Sequence, residues 1–348
     1  MGKKESTPID LVEASYDLEV ENDEWLPNIM RAGLPIFDRG LGLAGLIGVK
    51  PPTPGPIDIK AMHVASGPLD FPMRHMAAMA EFPPDLLHEE TMHGNVSTMS
   101  EQTAPQPWML ATWTRHVSYA SDGLGVTALD PDGYGIHLMA PLSEVTTLRT
   151  GERQQFQMMA AHLASGHRLK RAMQTQGGGD DEPILPLGAD AVIDTKDLRV
   201  TDAVGEAASP TRVEVLRQRA VAIDRARGRL RRDDPEQALK IWLALVEGRW
   251  SLVDWFDSDE RRYILAIPNP PGTRDPRALT KRESQVVGYA ALGESHKIIG
   301  YRLGIARSTV TNTLRSAMRK LGVSTQAQLV RKLRGMELPE TKRVAGER

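Results

Sequence analysis

Gly304-Ile305-Ala306-Arg307-Ser308-Thr309-Val310-Thr311-Asn312-Thr313-Leu314-Arg315-Ser316-Ala317-Met318-Arg319-Lys320-Leu321-Gly322 is the stretch whose reading decides how this chain is understood. A glycine opens it and a glycine closes it, as expected of a helix bounded by two turns. Between them Val310, Leu314, Ala317, Met318 and Leu321 fall at i, i+4, i+7, i+8 and i+11, one apolar stripe of an α-helix. Thr311, Asn312, Arg315 and Arg319 point elsewhere. The spacing predicts a helix from about 307 to 321 with its aliphatic side inward and a polar, cationic side outward.

Upstream, Thr280-Lys281-Arg282-Glu283 has the form of a capping box, followed by Val286, Val287, Ala290 and Ala291 and a stop at Gly293. Ser295 is placed to cap a short second helix through Ile298, Ile299 and Leu303. Downstream, Thr325-Gln326-Ala327-Gln328 is a second capping box before Leu329, Val330 and Leu333. A short helix, a tight glycine turn and a longer helix with an outer polar face is a helix-turn-helix, whose second helix fits a major groove about 12 Å wide. From Arg277 to Arg334 there are twelve Lys and Arg against Glu283 and Glu294, a balance of +10 on a chain whose formal net charge is −2. A cationic end on an acidic body is the electrostatic footprint of a polyanion binder.

These motifs resemble the LuxR-type, GerE-like DNA-binding domain. The resemblance rests on Leu279-Thr280-x-Arg282-Glu283, Gly293-x-Ser295-x-Lys297-x-Ile299, Leu303-Gly304-Ile305-Ala306-x-Ser308-Thr309-Val310 and Lys320-Leu321-Gly322-Val323. It implies an all-α four-helix unit over residues 274–336 that binds double-stranded DNA. Thr311, Asn312 and Arg315 would then face bases; Lys297, Arg307, Ser308, Thr309, Arg319 and Lys320 would face phosphates, which position without specifying. It also implies a homodimer with recognition helices roughly 34 Å apart on a near-palindromic site, and RNA polymerase as a further partner. Four positions depart from the family pattern: Ile298 stands where Glu is usual, Ala306 for Ser, Thr313 for His and Gln326 for Arg.

The rest of the chain is expected to be an α+β sensory or dimerising region. Residues 9–173 are read as a GAF-like domain. Leu11, Tyr16, Trp25 and Ile29 are its helical anchors, Pro27 an interruption, and Gly40–Ile47 a buried strand. A hairpin folds about Pro131-Asp132-Gly133, and a helix runs from about 150 to 173. Residues 50–106, rich in Pro, Met and His, yield no assignment. Gln174–Pro183 and Pro268–Gly272 read as linkers. Between them residues 184–268 are read as a small PAS-like segment: strands around a Thr195-Lys196-Asp197 turn, helices over 210–228 and 235–247 with Asp234 as cap, and a hairpin around Asp257–Glu260. Its small-molecule ligand, if one exists, is not legible. Trp113, Tyr119 and Asp122 are of the type that acyl-homoserine-lactone receptors use, but their spacing is wrong.

Enzymatic readings find little support. There is no cysteine, so thiolate nucleophiles and Cys-based zinc sites are excluded. His88-Glu89-Glu90-Thr91-Met92-His93 sets its second His at i+5, where a zinc helix needs i+4, and no metal or cofactor is expected. Gly177-Gly178-Gly179-Asp180-Asp181 lacks the flanking hairpin of a cyclase loop, and no G-x-S-x-G or P-loop motif occurs. No apolar run reaches the ~18 residues of a membrane helix. No secretory leader follows Met1-Gly2-Lys3-Lys4, so the cytoplasm is the expected location. Two rival functions stand beside the DNA-binding regulator: a catalytic sensor, and a protein-interaction adaptor whose helical end does not bind DNA.

Overall fold

A computed structural model describes residues 6–51, 56–83, 96–175, 184–269, 279–321 and 323–334. The His88–His93 stretch, the glycine run at 177–181, Pro270–Gly272, Arg277 and Gly322 lie outside them.

The N-terminal part is built on five antiparallel strands: β1 (Leu43–Val49), β2 (Asp58–Ser66), β3 (Val96–Thr98), β4 (Asp122–Leu129) and β5 (Tyr134–Leu142), in the order β2-β1-β5-β4-β3. Helices α1 (Pro8–Ser15) and α2 (Asn22–Phe37) precede the sheet. Between strands come α3 (Phe71–Ala80), α4 (Met99–Gln102) and α5 (Pro107–His116). The long α6 (Thr150–Thr175) follows. The stretch that holds the helical anchors Leu11 to Ile29 is two helices, with the break before Asn22 and not at Pro27. Thr7 and Asp10 close a capping box at the start of α1, which ends at Ser15; the chain re-enters helix at Asn22. Pro27 does not interrupt α2 but lies inside it, in the second turn, at the loss of the one bond its amide would have donated. The four predicted anchors are all buried.

The second sheet contains β6 (Ala191–Asp194), β7 (Arg199–Ala203), β8 (Trp250–Phe256) and β9 (Arg262–Pro268), ordered β7-β6-β9-β8. Helices α7 (Pro210–Arg225), α8 (Arg231–Asp233) and α9 (Pro235–Ile241) lie between β7 and β8. Asp234 caps α9 through Gln237 as expected, but α9 stops at Ile241 and not at 247, because Trp242 turns to extended backbone and buries its ring. A continuous buried cluster runs through α1, α2, both sheets and α6, so the two sheets share one core along that helix.

The C-terminal helices are α10 (Lys281–Ala291), α11 (His296–Leu303), α12 (Arg307–Lys320) and α13 (Gln326–Arg334). They enclose their own cluster: Val286, Val287, Ala290, Ile299, Leu303, Val310, Leu314, Ala317, Leu321 and Leu329. No helix among the described residues is long and apolar enough to cross a membrane, and no group of three His, Asp or Glu there could hold a metal ion.

Candidate functional site

The helical unit is fixed by the caps its sequence announces. Thr280 Oγ1 accepts from the Glu283 amide at 3.2 Å, and the Glu283 carboxylate accepts from the Thr280 amide at 2.8 Å. The same carboxylate takes Ser316 Oγ at 2.8 Å and Lys320 Nζ at 2.7 Å, stitching α10 to the end of α12. Burial pushes this carboxyl up, yet the lysine, the capping amide and the two hydroxyls together bring it down to about 2. Ser295 caps α11 through the Ile298 amide. Gly304 then takes the left-handed conformation (φ +65°) that turns the chain into α12. Gln328 returns to Ser324 and Thr325 as the second capping box requires. Arg302 and Glu294 form a buried pair at 2.6 Å, 2% and 0% exposed, with the guanidinium 4.6 Å from the Tyr289 ring.

Helix α12 is divided as its pattern demands. Val310, Leu314 and Ala317 are buried; Arg307, Ser308, Thr309, Asn312, Arg315, Arg319 and Lys320 are exposed. The structure brings these seven onto one open side of the unit. Thr311 is half-buried, its hydroxyl between the Arg307 carbonyl and His296 Nδ1, each at 3.1 Å. Lys297 is exposed but donates to Gln154 of α6 at 2.6 Å, and Lys320 is held by Glu283. Ala306, where the family pattern has Ser, leaves α12 without a side-chain cap.

Residues 277–333 match the family described as "GerE: Bacterial regulatory proteins, luxR family". The chain ends in a LuxR-family helix-turn-helix domain. That domain points to a DNA-binding transcription regulator, a family generally without enzymatic activity. No curated protein matches the chain. Among solved structures, SdiA in complex with octanoyl-rac-glycerol is similar at 11% identity, over 92% of this chain and 86% of that one, with a TM-score of 0.24. Escherichia coli SdiA is similar at 12% identity, over 92% and 94%, with a TM-score of 0.27. Scores this low carry no weight for architecture or ligand.

The LuxR-family domain is docked on the body, a feature the sequence reading missed. Tyr301 is buried with its hydroxyl 2.6 Å from the Leu239 carbonyl, 2.7 Å from that of Trp242 and 2.8 Å from His162 Nε2. Ile298, one turn away, is 3% exposed and belongs to the body's core and not to the domain's own. The departure from Glu at this position now has a reason: the side chain is buried in the body's core, where an unpaired carboxylate would be costly. An apolar residue at a usually polar position was the one local sign of the dock. On the other flank Gln285 donates to the Gly248 carbonyl at 2.6 Å, and Tyr289 reaches Asp130 at 3.3 Å, where Arg168 of α6 also pairs at 3.0 Å.

The second feature is a cavity of about 450 Å³ on one face of the first sheet. Along β4, Val126 and Ala128 turn to the core shared with α6, Gly123, Gly125, Thr127 and Leu129 border the cavity, and Leu124 belongs to both. Glycines leave this face bare: a Cβ at Gly123 would lie 2.9 Å from the Trp113 ring, and one at Gly125 would lie 3.2 Å from His137. Phe71, Met76 and Met79 of α3, Trp113 of α5, and Ile136 and Met139 of β5 complete a mainly apolar wall. Trp113 Nε1 donates to His75 Nδ1 at 3.1 Å. The His75 proton therefore sits on Nε2, an N–H with no partner among the described residues. His137 Nδ1 lies 2.8 Å from Thr127 Oγ1. Burial, with His137 nearby, lowers His75 to about 3, and burial lowers His137 to about 4, so both rings are neutral near pH 7. Glycine at alternate strand positions, Asp122-Gly123-Leu124-Gly125, was the sequence sign of this site. Asp122 is committed elsewhere: its carboxylate accepts from the Ser100, Gly123 and Thr146 amides and the Ser100 hydroxyl.

Proposed function

We propose that the chain is a sequence-specific, DNA-binding transcription regulator with a ligand-sensing N-terminal region. The observation that carries the reading is the open outer side of α12 on a module whose opposite flanks are docked. Asn312 and Arg315, with Thr311 at their edge, read base edges: Asn suits adenine and Arg suits guanine. Arg307, Ser308, Thr309 and Arg319 meet phosphates. Lys297 and Lys320 join them by exchanging Gln154 and Glu283 for the duplex. Two copies bind as a homodimer on successive major grooves, and RNA polymerase is the partner through which transcription responds.

Residues 9–173 act as the GAF-like sensor, residues 184–268 as a PAS-like segment behind it, and residues 274–336 as the DNA-binding unit. The five-stranded antiparallel sheet with its half-enclosed apolar cavity supports the sensor assignment. The chemistry of that cavity favours a neutral, mainly hydrocarbon molecule with one carbonyl or hydroxyl oxygen to accept from His75 Nε2.

The test is fluorescence anisotropy of a labelled random-sequence duplex against the full chain at about 50 mM salt. Binding should saturate in the micromolar range, with log K falling linearly with log salt at a slope of about −0.9 per phosphate neutralised. An adaptor that does not bind DNA would give no saturation and no salt slope, and would end this reading.

A further inference from the structure

The turn between β4 and β5 belongs to two sites at once. Leu129 borders the cavity, and its side chain is also packed in the helical unit's own core with Val286, Val287 and Ala290 of α10. One residue on, Asp130 accepts from Tyr289 of α10. Pro131 stands so close to α10 that a Cβ at Gly288 would lie 3.0 Å from its Cγ. Gly133 borders the cavity again, and its carbonyl accepts from the Lys50 amide at 2.8 Å. From the far side, α6 holds the turn: Arg168 pairs with Asp130, Arg171 bonds Asp132 at 3.0 Å, and the Arg171 guanidinium sits 3.3 Å from the Tyr134 ring centroid.

We propose that occupancy of the cavity is relayed to the DNA-binding unit through residues 129–133, with Leu129 as the shared side chain. The proposal rests on the reading of the cavity as a ligand site. Its physical basis is short. Packed interiors transmit displacement because side chains lack room to absorb it. Here no chain of intermediates is needed, since the wall of one site is a core residue of the other. An empty cavity leaves Leu129 without contacts on one side. A bound molecule supplies them, and the turn is then pressed against α10 instead of yielding toward the sheet. The ligand thereby stiffens the helix against which α12 packs.

Amide hydrogen exchange of the full chain tests this, because it reports local opening of α10. The cavity is filled in two independent ways: with 1-decanol, its entry followed by displacement of Nile red, and by Met76→Trp, which places bulk in the cavity with no ligand. Each should slow exchange of the 286–290 amides at least fivefold, and Leu129→Ala should abolish the response. Displacement of Nile red with α10 exchange unchanged overturns the relay and leaves the cavity reading standing. Slowed exchange in Met76→Trp with neither probe taken up overturns the cavity reading and leaves the relay standing. No response in any arm overturns both.

Discussion

Two histidines buried in the shared core make the fold sensitive to mild acid. His162 is 0% exposed, its Nε2 2.9 Å from the Trp242 carbonyl and its Nδ1 3.1 Å from the Tyr16 hydroxyl. His167 is 5% exposed and stacks on Trp25 with ring centroids 5.8 Å apart. Burial lowers them to about 3 and about 4. The unfolded chain binds their protons near pH 6.5 and the folded chain does not, so stability is whole above 6.5 and falls as pH drops toward 4. Each ring costs about 2 kcal/mol between pH 7 and pH 5, so the pair costs about 4 kcal/mol. That is a large fraction of the ~5–15 kcal/mol a native domain holds. His75 and His137, lowered by burial in the same way, act in the same direction and add to the loss. Urea unfolding followed by tryptophan fluorescence at half-unit steps from pH 7 to pH 5 measures the loss, with Trp242 and Trp25 as adjacent reporters. His162→Gln should remove that ring's share of the slope. A flat profile, or an unchanged slope in His162→Gln with His167→Gln equally silent, would refute the burial argument.

Further expectations follow from the helical unit. Arg315→Ala should cost about 1–3 kcal/mol on a selected site and relax preference at one base pair; equal losses on every duplex would mark Arg315 as a phosphate contact. Glu283→Gln should cost up to ~3 kcal/mol at pH 7, because its carboxyl is held well below the unfolded value. That difference should persist down to about pH 4.5 and vanish as pH falls toward 2, read as converging acid-unfolding curves of variant and parent. Gly288→Ala sets a helix-propensity gain of up to ~1 kcal/mol against contact with Pro131, and a net loss of stability is expected. A double-mutant cycle with Pro131→Gly should show coupling of at least ~0.5 kcal/mol, and strict additivity would deny the contact.

The DNA-binding end was legible because its signals are local. Thr280 with Glu283, Ser295, Gly304 and Thr325 with Gln328 each act within three or four residues, and the structure has every one of these caps. The hairpins were legible for the same reason: a turn between alternating strands. What escaped has no short-range mark. Most of β2 is exposed or half-buried, so it shows no apolar alternation, and α3 lies in the Met- and His-rich stretch that gave no assignment. The cavity is made of absent side chains on β4 and β5. The dock joins His162 to Tyr301 across 139 positions, and only Ile298, apolar where the family pattern is acidic, betrayed it.

Gly304 carries a constraint that a lone helix-turn-helix would not impose. Its left-handed backbone would admit asparagine at small cost. Any side chain there, however, would start 2.1 Å from the carbonyl oxygen of Leu245, in the loop after α9. The hinge of the reading head is thus also its foothold. This residue answers to two constraints, the turn and the seat, and a replacement harmless to the first would unseat the whole head from its base.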